Sequence, residues 1–303
     1  VKRDHGQRSS RAGTIPKAFK AILLAAACLA AKPALAAEAR VASRYVWQSD
    51  DPRIGGLSGL EVDAEGVGFV ALIDRGRILE GRFLRLGDRI TGLDVSTAFD
   101  LLGPDGTPLE DEDDDSEGLA FDSDGGVYVS FEGPARVWHY DGLLATPTEI
   151  ALTREFAQMQ QNAGLEALAA LEDGSLVTMP ERTGRQDRPF PLYHYAGDRW
   201  GTLGDLARVG PFLAVGADLG PDGYLYVLER DFVGIGFRSQ IRRVDLSSGA
   251  NETLLTSARW EFDNLEGISA WRDAQGRIRL IAVSDNNFIG FQKTEFVEFI
   301  VSD

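Results

Sequence analysis

Ser116-Glu117-Gly118-Leu119-Ala120-Phe121-Asp122, the turn Ser123-Asp124-Gly125, and then Val127-Tyr128-Val129-Ser130-Phe131-Glu132 form the stretch that decides the architecture of this chain. A short apolar run, a turn whose glycine supplies positive φ, and an alternating β-branched and aromatic run read as a hairpin of two strands. The series recurs four more times. Leu57-Ser58-Gly59-Leu60-Glu61 opens a unit ending at Asp74, and Leu165-Glu166-Ala167-Leu168 opens one ending at Glu181. Val215-Gly216-Ala217-Asp218 leads to Glu229, and Leu265-Glu266-Gly267-Ile268 leads to Asp285. The small residues Gly59, Gly118, Ala167, Gly216 and Gly267 are spaced by 59, 49, 49 and 51 positions. A period near 50, with strand chemistry throughout, predicts an all-β fold: a β-propeller of four-stranded blades. Five units predict five blades, or six if an irregular blade lies within residues 77–115.

Third strands align as well, for example Arg136-Val137-Trp138-His139-Tyr140 with Pro191-Leu192-Tyr193-His194-Tyr195. The C-terminal Glu295-Phe296-Val297-Glu298-Phe299-Ile300 fits the third strand of the last unit. Arg44-Tyr45-Val46-Trp47 is expected to supply that unit's outermost strand, closing the ring and hiding both sheet edges.

Outward from the repeat, the composition narrows the function classes. The 303 residues carry 47 acids against 31 Lys and Arg, a net charge of −16. Such a balance lacks the cationic footprint that nucleic acid requires. Lys2, Arg3, Arg8, Arg11, Lys17 and Lys20 precede an apolar stretch, Ala21 to Ala31, too short to span a bilayer, and Ala34-Leu35-Ala36 offers a small-residue cleavage site. Residues 1–37 therefore read as a signal peptide of the general export route, with the mature domain at 38–303 in the periplasm or outside the cell. Cys28 lacks the larger aliphatic residue three positions earlier that a lipid-attachment box prefers, which disfavours a lipoprotein. The leader holds seven cations and one acid, leaving 24 cations, 46 acids, a net charge of −22, no cysteine and one lysine, Lys293. Neither a transmembrane segment nor disulfides are expected in the mature chain.

Each aligned second strand ends in a carboxylate: Asp74, Glu132, Glu181, Glu229 and Asp285. Equivalent positions of successive blades lie on one ring about a propeller's axis, so these five are expected to face one opening. Glu117, Glu166 and Glu266 form a second, incomplete ring, with Ser58 and Val215 in the other two units. Acids crowded into a mouth repel one another unless protons, arginines or a divalent cation offset them. Arg75, Arg182 and Arg230 directly follow strand-end acids and suit either pairing between blades or a bidentate grip on an anionic ligand. Oxygen ligands in this number suit Ca²⁺.

Other candidates are weaker. The run Glu110-Asp111-Glu112-Asp113-Asp114-Asp115 is compositionally suited to calcium but reads first as a solvated loop. His139 and His194 occupy the same place in aligned third strands, which marks them as repeat positions rather than catalytic bases. Ser58 has no assigned base, and neither a zinc-protease stretch nor a nucleophile elbow is present.

Gly55-Gly56-Leu57-Ser58-Gly59-Leu60, Asp115-Ser116-Glu117-Gly118 with Ser130-Phe131-Glu132-Gly133, and Asp263-Asn264-Leu265-Glu266-Gly267 with Val283-Ser284-Asp285-Asn286-Asn287 resemble the phytase-like domain family, "esterase-like activity of phytase". The resemblance covers about residues 41–300 and implies an exported β-propeller that hydrolyses phosphoesters or esters. It assigns no catalytic residue. Calcium-dependent propeller phytases combine clustered acids with lysines and arginines. The near absence of lysine here favours a smaller phosphorylated or anionic ligand. The expected arrangement places Ca²⁺ on Asp74, Glu117, Glu132, Glu166, Glu181, Glu229, Glu266 and Asp285, with Arg75, Arg182 and Arg230 on the substrate. A non-catalytic envelope propeller that binds a ligand or protein is the alternative. A metal-dependent lactonase, kept open by Asn264, Asn286 and Asn287, is the third.

Overall fold

The Asp/Gly turns fold as the hairpins their chemistry demands. Gly125, Gly174 and Gly223 take φ of +89°, +82° and +83°, values that a side chain resists. In the first of these turns the Asp122 carboxylate accepts the Asp124 and Gly126 amides at 2.8 and 2.7 Å. These turns set the strand lengths in a computed structural model that describes residues 36–110, 113–159 and 164–303. The expected leader lies outside the described residues apart from Ala36 and Ala37, as do Asp111 and Glu112 of the acidic run.

Twenty strands form five four-stranded antiparallel sheets. β1 (Glu38–Trp47) stands apart in sequence from its sheet. The first blade is β2 (Leu57–Val62), β3 (Gly68–Ile73), β4 (Arg77–Leu86) and β5 (Arg89–Asp100), and the second is β6 (Ser116–Phe121), β7 (Val127–Phe131), β8 (Arg136–Tyr140) and β9 (Thr148–Glu149). The third is β10 (Leu165–Ala170), β11 (Leu176–Pro180), β12 (Phe190–Ala196) and β13 (Arg199–Leu206); the fourth is β14 (Leu213–Leu219), β15 (Leu225–Phe232), β16 (Phe237–Val244) and β17 (Asn251–Thr256). The fifth contains β18 (Asn264–Arg272), β19 (Ile278–Asp285) and β20 (Thr294–Ser302), completed on its outer edge by β1. Five blades are thus present, and residues 77–100 are the long outer strands of the first blade rather than a sixth.

β1 pairs antiparallel with β20 from Glu38↔Ser302 to Trp47↔Thr294, the closure expected from the sequence. Five apolar clusters fill the five junctions between neighbouring blades. One joins blades four and five through Tyr226, Leu228, Ile268 and Leu280, and another joins five to one through Phe69, Phe83, Ile281 and Phe296. The repeated small residues serve these junctions. A Cβ on Gly216 would lie 2.3 Å from the Glu266 carbonyl oxygen, and one on Gly267 would lie 2.9 Å from the Leu60 amide nitrogen. Innermost strands pack backbone to backbone around the axis, which is why the positions stay small. No described helix is long and apolar enough to cross a membrane.

Candidate metal centre

Every innermost strand skips one residue in its pairing with the second strand, always at the same place. The skipped residues are Ser58, Glu117, Glu166, Val215 and Glu266. A β-bulge leaves its extra residue unpaired and redirects its side chain. Three glutamates of the sequence repeat are therefore bulge residues at one end of the axis.

The facing ring is built by the ends of the second strands. Asp74, Glu132 and Glu181 donate their amides to Gly56, Asp115 and Gly164 carbonyls at 2.8, 3.0 and 3.0 Å. Asp285 stands opposite Asn264 in the same register. In blade four the equivalent residue is Arg230, opposite Leu213. The ring is thus four acids and an arginine, and Glu229 falls one residue short of it. Successive strand residues face opposite sides, and Glu229 turns instead to the wholly buried Arg242, accepting from Nε at 2.8 Å and Nη2 at 2.6 Å. The expectation that Glu229 joins the other acids does not match this placement.

Carboxylate oxygens of Asp115, Glu117 and Glu132 lie within 4.8 Å of one another, as do those of Glu132, Glu166 and Glu181. Glu132 belongs to both groups. Asp115, the last aspartate of the acidic run, is brought here because it immediately precedes β6. On the other side of the mouth, Arg230 donates to Glu181 Oε1 and Asn264 Oδ1, both at 2.9 Å, and bonds Glu266. Asn264 Nδ2 in turn donates to Glu266 at 2.8 Å and Asp285 at 3.3 Å. Asn286 ties blade five to blade one, its Oδ1 accepting the Gly56 amide at 3.0 Å. The Asn287 amide donates to Asp285 Oδ1 at 2.5 Å.

The other two arginines do not converge with Arg230. Arg182 is exposed and donates to Glu181 Oε2 at 2.6 Å, at the edge of the acid group. Arg75 is exposed and its guanidinium lies 4.0 Å from the centre of the Phe288 ring. Ser58 donates its hydroxyl to the Ser116 carbonyl at 2.8 Å, a contact between blades one and two. His139 is bonded to Asp122 of a hairpin turn at 2.8 Å, and His194 lies within β12.

Confinement moves the protons. Burial, then the neighbouring Asp285 charge, pushes Asp74 up to about 7. Burial and then Asp115 push Glu132 up to about 7, and burial holds Glu266 at about 8 despite the opposing Arg230. Burial, reinforced by neighbouring acids, drives Glu117 and Glu166 well above the ordinary range. Burial disfavours the charge on Arg230, but Glu266, Glu166 and Glu181 outweigh it and hold the guanidinium protonated. Near neutral pH this mouth shares protons among its acids.

Deeper along the axis, three residues past the bulge in each blade, lie Glu61, Ala120, Ala169, Asp218 and Ser269. Asp218 Oδ2 accepts the Ala270 amide at 2.7 Å, and Ser269 Oγ accepts the Val62 amide at 3.1 Å. These contacts clamp neighbouring blades.

The donor set at the mouth, carboxylates with Asn264 at its edge, fits a hard divalent cation, and Ca²⁺ takes six to eight such oxygens. Asp74 Oδ1 is buried without a hydrogen-bond partner, which leaves an acceptor that an ion would satisfy. Among the described residues no histidine or cysteine joins either carboxylate group.

Comparison with known proteins agrees with this architecture. A family model described as "Phytase-like: Esterase-like activity of phytase" matches residues 52–288. No curated protein matches the chain. Among solved structures, an endo-arabinase from Bacteroides thetaiotaomicron shares 11% identity over 83% of this chain and 96% of its own, with a TM-score of 0.50. An aldose sugar dehydrogenase from Streptomyces coelicolor shares 12% over 88% and 99%, with a TM-score of 0.47. The calcium-binding protein regucalcin from Agrobacterium tumefaciens shares 13% over 83% and 92%, with a TM-score of 0.45. At these identities the first likeness concerns the fold alone, and the other two carry no further argument.

Proposed function

Because the chain belongs to the phytase-like family, we propose that the acid mouth of this propeller is a calcium-dependent hydrolase site for a phosphoester or ester of a small anionic compound. The leader expected at residues 1–37 places that activity in the periplasm or outside the cell. The observation that carries the reading is the pair of carboxylate groups sharing Glu132, in the ring of strand ends that also contains Asp74 with its unsatisfied oxygen.

Asp115, Glu117, Glu132, Glu166 and Glu181 would hold the cation, with Asp74, Glu266 and Asp285 completing the negative surround. The ion, when bound, supplies charge screening, polarises the ester oxygen and lowers the pKa of water. The chain's own residues do the rest. Burial and Asp115 raise Glu132 to about 7 while no cation is bound, so this carboxyl gives up its proton as the cation enters. Arg230 is committed to Glu181, Asn264 and Glu266, so it fixes the acids in place. That leaves the exposed Arg182, at the edge of the same group, to meet an anionic substituent.

Turnover of 4-nitrophenyl phosphate, bis(4-nitrophenyl) phosphate and 4-nitrophenyl acetate, with calcium and with chelator, tests this reading. Calcium-dependent turnover that falls at least a hundredfold in Glu132→Gln is expected; equal rates in that variant would overturn it. Including a γ-lactone separates the lactonase alternative; Asn264 Oδ1, the atom that would ligate a metal there, accepts from Arg230 instead. Calcium binding with no turnover of any substrate is the outcome for a ligand-binding propeller.

A further inference from the structure

Every exposed phenylalanine, tryptophan and isoleucine among the described residues lines one groove. Phe232 and Ile235 come from the β15–β16 hairpin of blade four, Trp260 from the connection into β18, and Ile289 and Phe291 from the β19–β20 loop of blade five. Trp260 is 60% exposed and Phe291 80%. The groove has a volume of about 650 Å³. The other described aromatic rings are buried or half-buried, so this concentration is a local feature.

The backbone holds the groove open at a cost. Trp260 has φ of +68°, an outlier for a bulky side chain. Its indole lies over Gly236, where a Cβ would come 2.7 Å from the ring, and its amide donates to the Phe237 carbonyl at 3.2 Å. Asn287 and Phe288, on the facing loop, take φ of +48° and +52°. Two of the four described non-glycine residues with positive φ, Trp260 and Asn287, therefore line this groove, and Phe288 is the next residue of its loop.

The groove and the acid mouth meet at two points of the chain. Asp263 and Asn287 line the groove, and each adjoins a residue of the mouth: Asp263 precedes Asn264, and the Asn287 amide is bonded to Asp285. Lys293, the one lysine after the leader, and Arg44 stand along the same groove. A net charge of −22 on the mature chain repels an anionic membrane surface, and the groove's dimensions match a small molecule.

Resting on the hydrolase reading above, we propose that the substrate is amphiphilic: an ester or phosphoester whose hydrolysable group sits at the carboxylates and whose aryl or alkyl arm lies in the Trp260–Phe291 groove. An inositol polyphosphate has no such arm, so this class departs from phytate.

The test measures affinity for n-alkylphosphonates and for the matching n-alkanols, two to eight carbons long, by calorimetry on the mature protein in calcium. Affinity is expected to climb about fourfold per methylene in both series, the value for burying a methylene group, and the slope flattens in Trp260→Ser and in Phe291→Ser. A flat dependence for the wild type overturns the amphiphilic class even where esters turn over with calcium. A slope with the alkanols, but no calcium-dependent gain with the phosphonates, keeps the groove and refutes the cation reading. Variants that change only the sedimentation of the protein, leaving the slope intact, would assign the patch to self-association and overturn the proposal.

Discussion

Arg230 Nη2 of blade four lies 2.9 Å from Glu181 Oε1 of blade three, while Nη1 of the same guanidinium reaches Asn264 and Glu266 of blade five. A single cation thus bridges three blades inside a ring of acids. Breaking a buried pair by removing one partner strands the other charge, at about 3–5 kcal/mol. Arg230→Met is expected to lose stability of that order at pH 9, measured by urea unfolding, and to recover part of it by pH 7 as Glu266, which stands at about 8 even with the arginine beside it, protonates.

Proton sharing predicts a pH-dependent stability. Asp74, Glu132 and Glu266 have folded-state values of about 7, 7 and 8, above their ordinary 3.8, 4.5 and 4.5. A carboxyl raised by folding contributes stability that is complete below its ordinary value and is lost as pH rises through the folded value. In chelator, Tm should fall between pH 5 and pH 8. Calcium should restore it at pH 8, and calorimetry in buffers of different ionisation enthalpy at pH 7 should register proton release on calcium binding. A Tm that rises across this range in chelator would contradict the burial of these acids.

The Glu229–Arg242 pair separates structure from site. Glu229→Gln leaves Arg242 buried and half-paired, and is expected to cost about 3–5 kcal/mol while calcium affinity stays within about twofold of wild type at 20 °C. Glu132→Gln should show the converse: calcium affinity at least tenfold weaker, with chelator-state stability at pH 8 unchanged or higher. Titration of both variants by calorimetry decides the matter.

The axial glycines give a steric prediction. Gly216→Ala places a methyl 2.3 Å from a backbone carbonyl, which cannot rotate away, and should destabilise by about 1–3 kcal/mol. The matching position in blade three already carries Ala167, so Ala167→Gly should cost only about 0.5–1 kcal/mol, through backbone entropy. Equal losses in the two variants would show that the blade junctions are alike.

The blade pattern was legible because each feature that sets it is local: a turn glycine, an alternating strand, a small residue every fifty positions. The closure between Arg44-Tyr45-Val46-Trp47 and the last unit was legible for the same reason, as a unit lacking one strand met a strand lacking a unit. What misled was the dipeptide Glu229-Arg230, which resembles Glu181-Arg182. Counting would have caught it, since Glu132 and Glu181 each lie 14 residues past Gly118 and Ala167, and the same count from Gly216 reaches Arg230. With a side-chain period of two, one residue of slip exchanges a ring position for the opposite face. Nor did the linear pattern show that the alternation would break at Glu117, Glu166 and Glu266, because a bulge is visible only in the pairing of two strands. The groove of Trp260 and Phe291 escaped for a different reason: its residues come from three loops, and no repeat links them.

Pairing of β1 with β20 also sets the order of events during folding. Arg44 meets Glu295 across 251 positions of chain. Blades one to four can pair their own consecutive strands, but the fifth waits for both ends of the domain. Contacts of such separation slow folding far more than they alter final stability, because loop-closure entropy grows only with the logarithm of length. Latching the ring is therefore expected to come late, and until it happens β1 and β20 each present a bare hydrogen-bonding edge to any neighbouring chain. The closing strand that protects the finished propeller is, while the polypeptide is still folding, its most adhesive segment.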